Sequence, residues 1–577
     1  MPPFLQRALL AAIVVSSSCH RAVRDGKPTR ALDSGVEEVF GAPDGPAVSW
    51  DFGDGSPVVI GRQVRHAFVR SGRYQVRALD GAETVASQEV EVVPRSLLRA
   101  VPSSASALVY LPALADDLSL TVDFLERLFG AESTQRHLEE SYLPAVAMEL
   151  SASQADAVDS QEGLGLFTLT GFDGTVALLG VADGERALAA LVRHFEAQGG
   201  TSKIAADGTV WLREATGAES VALLDRGYLY WVGAGSQPLA LSAAVAAVRT
   251  ADAKGLEEKI ELARARARVA PGDAYVFVDS PSWLGANDAR VKVFFASLAI
   301  GEHELTVDGF FDAGEPLWAS HAAVEVPLLR KAPEGPVAAA VVSVPPSELA
   351  RLLVGEAGTQ RRLAADMRFR RAGLDLEELL AALVGDVAAL AYFDAEAFFD
   401  NLVHGSERPE PRGTVWVEAG LSRDEPVAQL IEETLDAWSL RHDRVKEKGF
   451  SRYRTRLSGQ SLDITLTPRR ARLVGGTEPV GRAEVDLASQ LVARFGGGAF
   501  SSGHVSLMVD LGQLRKELEH PRQIPGVDAR RLVTVQGFSA AFLAQLTPVD
   551  HAFLDLGPEE GGARLQGRLV LRRRQTE

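Results

Sequence analysis

The sequence predicts a multidomain protein in which a small N-terminal β-sandwich is followed by two tandem, divergent α+β repeats. Three observations lead there. The chain has 577 residues, whereas a single hydrophobic core stops growing at about 250 to 300 residues, so several folded parts are expected. Residues 36–93 alternate in short strand-like runs, Val58 to Ile60, Tyr74 to Ala78 and Glu89 to Val93, with turn residues between them. Beyond Pro94, two separated sequence marks recur at one common offset.

Composition bounds the function. Hydrophobic residues make up 46% and charged residues 24%, the mixture of a folded chain rather than a disordered one. A formal net charge of −17 repels a phosphate backbone, so no nucleic-acid partner is expected. The same charge argues against broad electrostatic docking on anionic lipid. After Cys19 no run reaches 18 uninterrupted apolar residues, the least a membrane helix needs, so the chain beyond it is expected on one side of a membrane.

The first residues supply another route to a membrane. Arg7 precedes the apolar run Ala8 to Val15, and Ser16, Ser17 and Ser18 lead to Cys19. A positive start, an apolar stretch of about 7 to 15 residues and a small-residue exit describe a secretory signal peptide. Residues 1–18 resemble a bacterial lipoprotein signal, whose lipobox ends at the lipidated cysteine, although Ser16 stands where Leu is usual. The resemblance implies removal of residues 1–18 and acylation of Cys19 by a fatty acid such as palmitate. The alternative is ordinary signal-peptidase cleavage, with Cys19 incidental. Cys19 is the one cysteine of the chain, cannot form an internal disulfide, and so favours lipidation.

Residues 19–33 are polar and basic, with Gly26 and Pro28, and read as a flexible tether. Residues 34–95 carry Trp50-Asp51-Phe52-Gly53-Asp54-Gly55, then His66-Ala67-Phe68, then Gly72-Arg73-Tyr74-Gln75-Val76. Asp54-Gly55 suits a tight turn, and Trp50 and Phe52 alternate towards one face. Trp50 and Tyr74 are expected to centre the core. This pattern resembles the polycystic kidney disease (PKD) domain family, which implies an immunoglobulin-like β-sandwich. Asp51 and Asp54 suit either turn stabilisation or a calcium site, and the first is favoured because no second acidic cluster lies nearby.

Residues 96–327 and 328–577 form the expected repeats. Leu97-Leu98-Arg99-Ala100-Val101-Pro102 resembles Leu328-Leu329-Arg330-Lys331-Ala332-Pro333, and Asp273 to Asp279 resembles His504 to Asp510, both offset by 231 positions. Between the marks, Gly174 to Leu179 parallels Gly385 to Leu390, and Tyr228 to Gly233 parallels Ala471 to Gly476. Helical periodicity follows at Glu185 to Gln198 and at Val427 to Leu440. The tandem resembles uncharacterised bacterial envelope proteins, which carry no activity to transfer.

No constellation announces catalysis. Gly233-Ala234-Gly235-Ser236 is not a G-x-S-x-G elbow, and Gly496 to Gly503 lacks the Lys and Ser/Thr ending of a P-loop. Gly163-Leu164-Gly165 has Thr168 where a dinucleotide fingerprint needs glycine. The 11 histidines are scattered. His66 reads as a structural residue, and Glu432-Glu433 and Glu559-Glu560 read as solvated charges. No cofactor, metal ligand or catalytic residue is assigned, and Cys19 is the sole site residue. The expectation is a membrane-anchored cell-envelope lipoprotein, non-enzymatic, with a binding or structural role towards an envelope protein or polysaccharide. It would sit at the outer membrane or cell surface, or, without the anchor, as a secreted or periplasmic chain. An envelope hydrolase with a site formed across the repeats and a carrier of apolar ligands are the alternatives.

Overall fold

A computed structural model describes residues 30–572 apart from 113–117, 135–162, 250–254, 281–290, 322–326, 399–412, 477–482, all of 520–547 but Val533 and Gly537, and runs of four or fewer residues elsewhere. The protein is multidomain and β-rich, with several sheets and interspersed helices. Two compact units divide it: Met1–Ser280 with Val293–Glu302, and Pro281–Lys292 with His303–Glu577.

The first strands of unit 1 are β1 (Arg30–Asp33), β2 (Glu37–Gly41), β3 (Val48–Asp51), β4 (Val59–Gly61), β5 (Gln63–Ala67), β6 (Gly72–Asp80) and β7 (Glu83–Val93). They form a five-stranded sheet in the order β1-β7-β6-β3-β4 and a two-stranded sheet β2-β5. One core serves both, built from Leu32, Phe40, Phe52, Val64, Phe68, Val76, Val90 and Val92. Trp50 and Tyr74, expected at its centre, are half-buried and pack against it, while Phe52 is fully enclosed. Arg30–Asp33 closes the end of the stretch read as a tether. It pairs in parallel with Val90–Val93 and buries Leu32, the one large apolar side chain of that stretch.

The rest of unit 1 is an antiparallel sheet of nine strands: β8 (Ala105–Leu111), β9 (Leu164–Leu169), β10 (Val176–Gly180), β11 (Thr201–Ile204), β12 (Val210–Arg213), β13 (Glu219–Asp225), β14 (Tyr228–Val232), β15 (Ala274–Asp279) and β16 (Val293–Ile300). In space they run β16-β15-β8-β9-β10-β14-β13-β12-β11. β10 is buried along its whole length, as a strand covered on both faces must be. The helix Gly184–Ala197 begins where Asp183 accepts the Arg186 amide, an N-cap worth about 1 kcal/mol. It buries Ala187, Ala190, Leu191 and Phe195, spaced three and four apart.

Unit 2 contains β17 (Glu304–Asp312), the two-residue β18 (Ala332–Pro333), β19 (Ala338–Ser343), β20 (Leu383–Phe393), β21 (Gly413–Leu421), β22 (His442–Glu447), β23 (Phe450–Leu457), β24 (Gln460–Thr467), β25 (Arg470–Gly476), the two-residue β26 (Glu484–Val485), β27 (Val505–Asp510), β28 (Val549–Glu559) and β29 (Gly562–Leu571). Its large antiparallel sheet runs β17-β29-β28-β27-β19-β20-β21-β25-β24-β23-β22, and β18 pairs with β26. The helix Glu425–Ala437 places Val427, Ile431 and Leu435 on Tyr453, Ile464 and Leu466. Glu432, read from sequence as solvated, accepts the Tyr453 hydroxyl at 2.8 Å and pairs with Arg444 at 2.7 Å. It ties this helix to the sheet, and burial together with Glu432 raises the Tyr453 hydroxyl to about 12.

Candidate functional site

A groove opens in unit 2 where β20 and β25 end and β21 and β24 begin. Its floor and walls are Val337, Tyr392, Phe393, Gly413, Val415, Leu457, Gln460, Ser461, Leu462, Gly475 and Gly476, around a cavity of about 450 Å³. Strand alternation explains the composition, because Gly413 and Val415 are two apart on one face of β21, as are Gln460 and Leu462 on β24. Glycine is required at two of these positions. A Cβ on Gly413 would lie 2.2 Å from the Tyr392 carbonyl oxygen, and one on Gly476, whose φ is +109°, would lie 2.0 Å from the Gly413 oxygen.

The groove is apolar and its polar atoms are largely engaged. Tyr392 donates to the Pro333 carbonyl at 2.7 Å, and the Ser461 hydroxyl donates to the Gly476 carbonyl at 2.6 Å. Among the described residues no acidic, basic or cysteine side chain lines it. Val415 and Leu457 are 46% and 41% exposed, so apolar surface is presented outward. Such a lining can hold an apolar ligand. Residues 399–412 and 477–482, which adjoin Gly413 and Gly476 in sequence, lie outside the described residues.

A second cluster in unit 2 brings together the residue types of a hydrolase. The Ser343 hydroxyl donates to Asp386 at 3.2 Å, and His321 Nε2 lies 3.4 Å from that hydroxyl and 3.5 Å from the same carboxylate. Nucleophilic catalysis needs the histidine between serine and acid, with the acid on the other ring nitrogen. Here both partners face Nε2, and Ser343 is fully buried. His504 completes the cluster. Its Nδ1 meets the Ser343 carbonyl at 2.5 Å and therefore carries the proton, while Nε2 is buried with no partner among the described residues. Trp318 packs edge-on to the His504 ring at 5.3 Å. Burial pushes the His504 pKa down, the Ser343 carbonyl partly opposes this, and His321 adds to the fall, so the ring stays neutral. The arrangement is a packed polar network rather than a reaction centre.

The sequence-assigned residues fall elsewhere. Cys19 lies outside the described residues, as do Ser236 and most of Gly496 to Gly503. In unit 1, Asp51 accepts the Gly53 amide and Asp54 the Ser56 amide, each at 3.0 Å. Asp54 also meets His66 at 2.7 Å, and the Phe52 ring stacks on His66 at 3.8 Å between centroids. These are turn and core contacts. Among the described residues there is no group of three or more His, Cys, Asp or Glu side chains placed to hold a metal. Gly163 stands where a Cβ would lie 1.8 Å from the Leu111 carbonyl oxygen, which accounts for that glycine by close packing of β9 against the end of β8. The groove escaped sequence reading because its lining comes from five separate strands and the residue before β19. The one local signal was the Gly475-Gly476 pair at a strand end.

No family model and no curated protein matches the chain. Among solved structures, crystal form I of TP0453 is similar at 9% identity over 38% of this chain and 78% of that chain, with a TM-score of 0.24. Crystal form III of TP0453 is similar at 10% identity over 40% of this chain and 83% of that chain, with a TM-score of 0.25. Likeness at that level carries no weight for activity or ligand.

Proposed function

We propose that this chain is a non-enzymatic, lipid-anchored protein of the cell envelope that binds a slender apolar ligand, of acyl-chain type, in the unit 2 groove. The observation that carries the binding part is the groove itself: about 450 Å³ lined, among the described residues, without a titratable acid or base apart from the Tyr392 hydroxyl, which is engaged. That volume lies within the roughly 300 to 1,000 Å³ of small-molecule sites. The anchor rests on Cys19 and the apolar run before it. In this reading residues 34–95 are an immunoglobulin-like, PKD-type spacer, and the two large sheets descend from one duplicated unit.

The strand order supports the duplication. Numbered along the chain, β8 to β16 stand in the spatial order 9-8-1-2-3-7-6-5-4. Starting the count at β19, after the edge strand β17, and passing over the two-residue β26, unit 2 repeats that order, with β29 as a tenth strand. Asp279 and Asp510 then end corresponding eighth strands. Each takes a cation, Lys259 at 2.7 Å and Arg494 respectively.

Two measurements test the proposal separately. Mass spectrometry of the native N-terminus should find acylated Cys19, and a Cys19→Ala chain that still partitions with membranes overturns the anchor. Titration with a fluorescent fatty acid should saturate at one site per chain, and Val415→Asp with Leu462→Asp should abolish it. Unchanged binding in that double variant overturns the groove.

A further inference from the structure

The helix Gln360–Arg371 of unit 2 buries none of its residues, although its sequence is that of a committed surface. It holds five arginines and one aspartate in a chain whose net charge is −17. Leu363 and Met367, one turn apart, are 53% and 55% exposed. At about 3.6 residues per turn, Arg370 and Arg371 fall on either side of that pair, with Arg368 beside Arg371 on the same outward half.

Among the described residues the nearby acids are already occupied. Asp366 pairs with Arg370 within the helix at 3.0 Å, Glu377 with Arg362 on the inner side, and Glu378 with Arg423. Asp375 caps the next helix, Leu376–Ala382. Arg368 and Arg371 form no ion pair among the described residues. The outward face is therefore two aliphatic side chains set among cations.

We propose that this face is a docking surface for an anionic phospholipid bilayer, with Leu363 and Met367 entering the interface and the arginines meeting lipid phosphates. The net negative charge of the whole chain does not prevent this, because screening confines each exposed charge to about 8 Å at physiological salt and the approaching surface meets the local patch. Arginine is suited to the role, since its planar fork binds phosphate in a bidentate manner and its stem lies along apolar surface while the head stays wet. An acidic protein would reward the cations but gives no reason for two exposed aliphatics at the centre of the face. A bilayer interface takes up both, aliphatic side chains and the phosphate-binding cations around them. The surface goes beyond the groove and does not depend on acylation of Cys19.

The test uses the full chain with Cys19→Ser, so that no acyl group contributes. Cosedimentation with phosphatidylglycerol vesicles should exceed that with phosphatidylcholine vesicles and should weaken as salt rises from about 0.05 to about 0.5 M. Arg368→Glu with Arg371→Glu should lower binding by about tenfold or more, whereas the two Arg→Lys changes should retain most of it. Leu363→Asn with Met367→Asn should lower it without changing the salt dependence. All four side chains are on the exposed face, so circular dichroism should stay unchanged in every variant. Equal binding to both lipids, or full binding by the double Glu variant, overturns the proposal. So does capture by polyglutamate without binding to vesicles, which assigns the face to an acidic protein.

Discussion

Nε2 of His66 lies 2.7 Å from Oδ2 of Asp54, and the same imidazole is stacked on the fully buried Phe52 ring. One histidine thus joins the Asp54-Gly55 turn to the core beneath it. His66→Ala removes a hydrogen bond to a carboxylate and an aromatic contact, an expected loss of about 2 to 4 kcal/mol for this module. Hydrogen–deuterium exchange over residues 45–93 of the full chain should show the drop, while unit 2 stays protected.

The same pair predicts an acid sensitivity. Burial alone would raise the Asp54 carboxyl, but the Ser56 hydrogen bonds and then the His66 ring outweigh it and hold the pKa below its ordinary value. A depressed folded pKa contributes stability that is fully present above the unfolded value, about 3.9, and is lost as pH falls through the lower folded value. Asp54→Asn should flatten that acid limb in a stability–pH profile.

Core substitution should rank Phe52 above Trp50. Phe52 is 0% exposed, whereas Trp50 only packs against the core and donates its Nε1 proton to the Gly61 carbonyl at 3.2 Å. Phe52→Ala should cost about 3 to 5 kcal/mol, and Trp50→Ala clearly less. Chemical denaturation followed through tryptophan-independent exchange rates checks the order, and equal losses would place Trp50 in the core after all.

His504 and Asp555 pull unit 2 in opposite directions. With its folded pKa lowered chiefly by burial, His504 contributes stability above the unfolded value of about 6.5 that is lost as pH falls through the folded value. Asp555 is raised by burial despite the hydrogen bond from Ser506, so its contribution is present below about 3.9 and lost as pH rises through the folded value. Asp555→Asn should therefore raise the unfolding midpoint near neutral pH, and His504→Phe should remove the decline that sets in as pH falls below about 6.5. Calorimetric scans across that range read both.

Glu418 is 2% exposed and takes Arg472 at 2.7 Å and Arg470 at 3.2 Å, both partly open to solvent. The asymmetry decides which deletion hurts. Glu418→Ala frees two arginines that can turn to water, whereas Arg470→Ala with Arg472→Ala strands a buried carboxylate. The double arginine change should cost about 3 to 5 kcal/mol and the glutamate change less. Urea midpoints of the two variants provide the comparison.

Local chemistry was legible in the sequence where it is local in the chain. The Trp50 to Gly55 turn, the helix periodicity at Glu185 to Gln198 and the strand run at Tyr228 to Gly233 all depend on neighbours in sequence, and each element is present. Pairing was less legible. Gly174 to Leu179 parallels Gly385 to Leu390 in sequence, yet they lie on β10 and β20, the third and second strands when the count starts at β8 and at β19 as in the proposed duplication. Continuous apolar strands of this kind look alike, since burial on both faces erases the alternation that distinguishes them. The short β1 escaped because a single Leu32 among polar residues carries no period. The groove and the Ser343 network escaped for a different reason, being assembled from residues far apart in the chain.

In the unit 1 sheet the first strand lies inside rather than at an edge, with β8 between β9 and β15, and in unit 2 β19, which follows the edge strand β17 in the chain, is likewise enclosed between β20 and β27. A nascent chain emerges N-terminus first, so the flank of Ala105–Leu111 that Ala274–Asp279 will cover stays bare while the intervening chain is made. At about 5 to 20 residues per second that wait is roughly 10 to 30 s. An apolar strand with an open flank for that long is a template for wrong partners, and such distant pairings are slow to form even in the finished chain. Refolding from denaturant should therefore yield aggregates unless the protein is dilute.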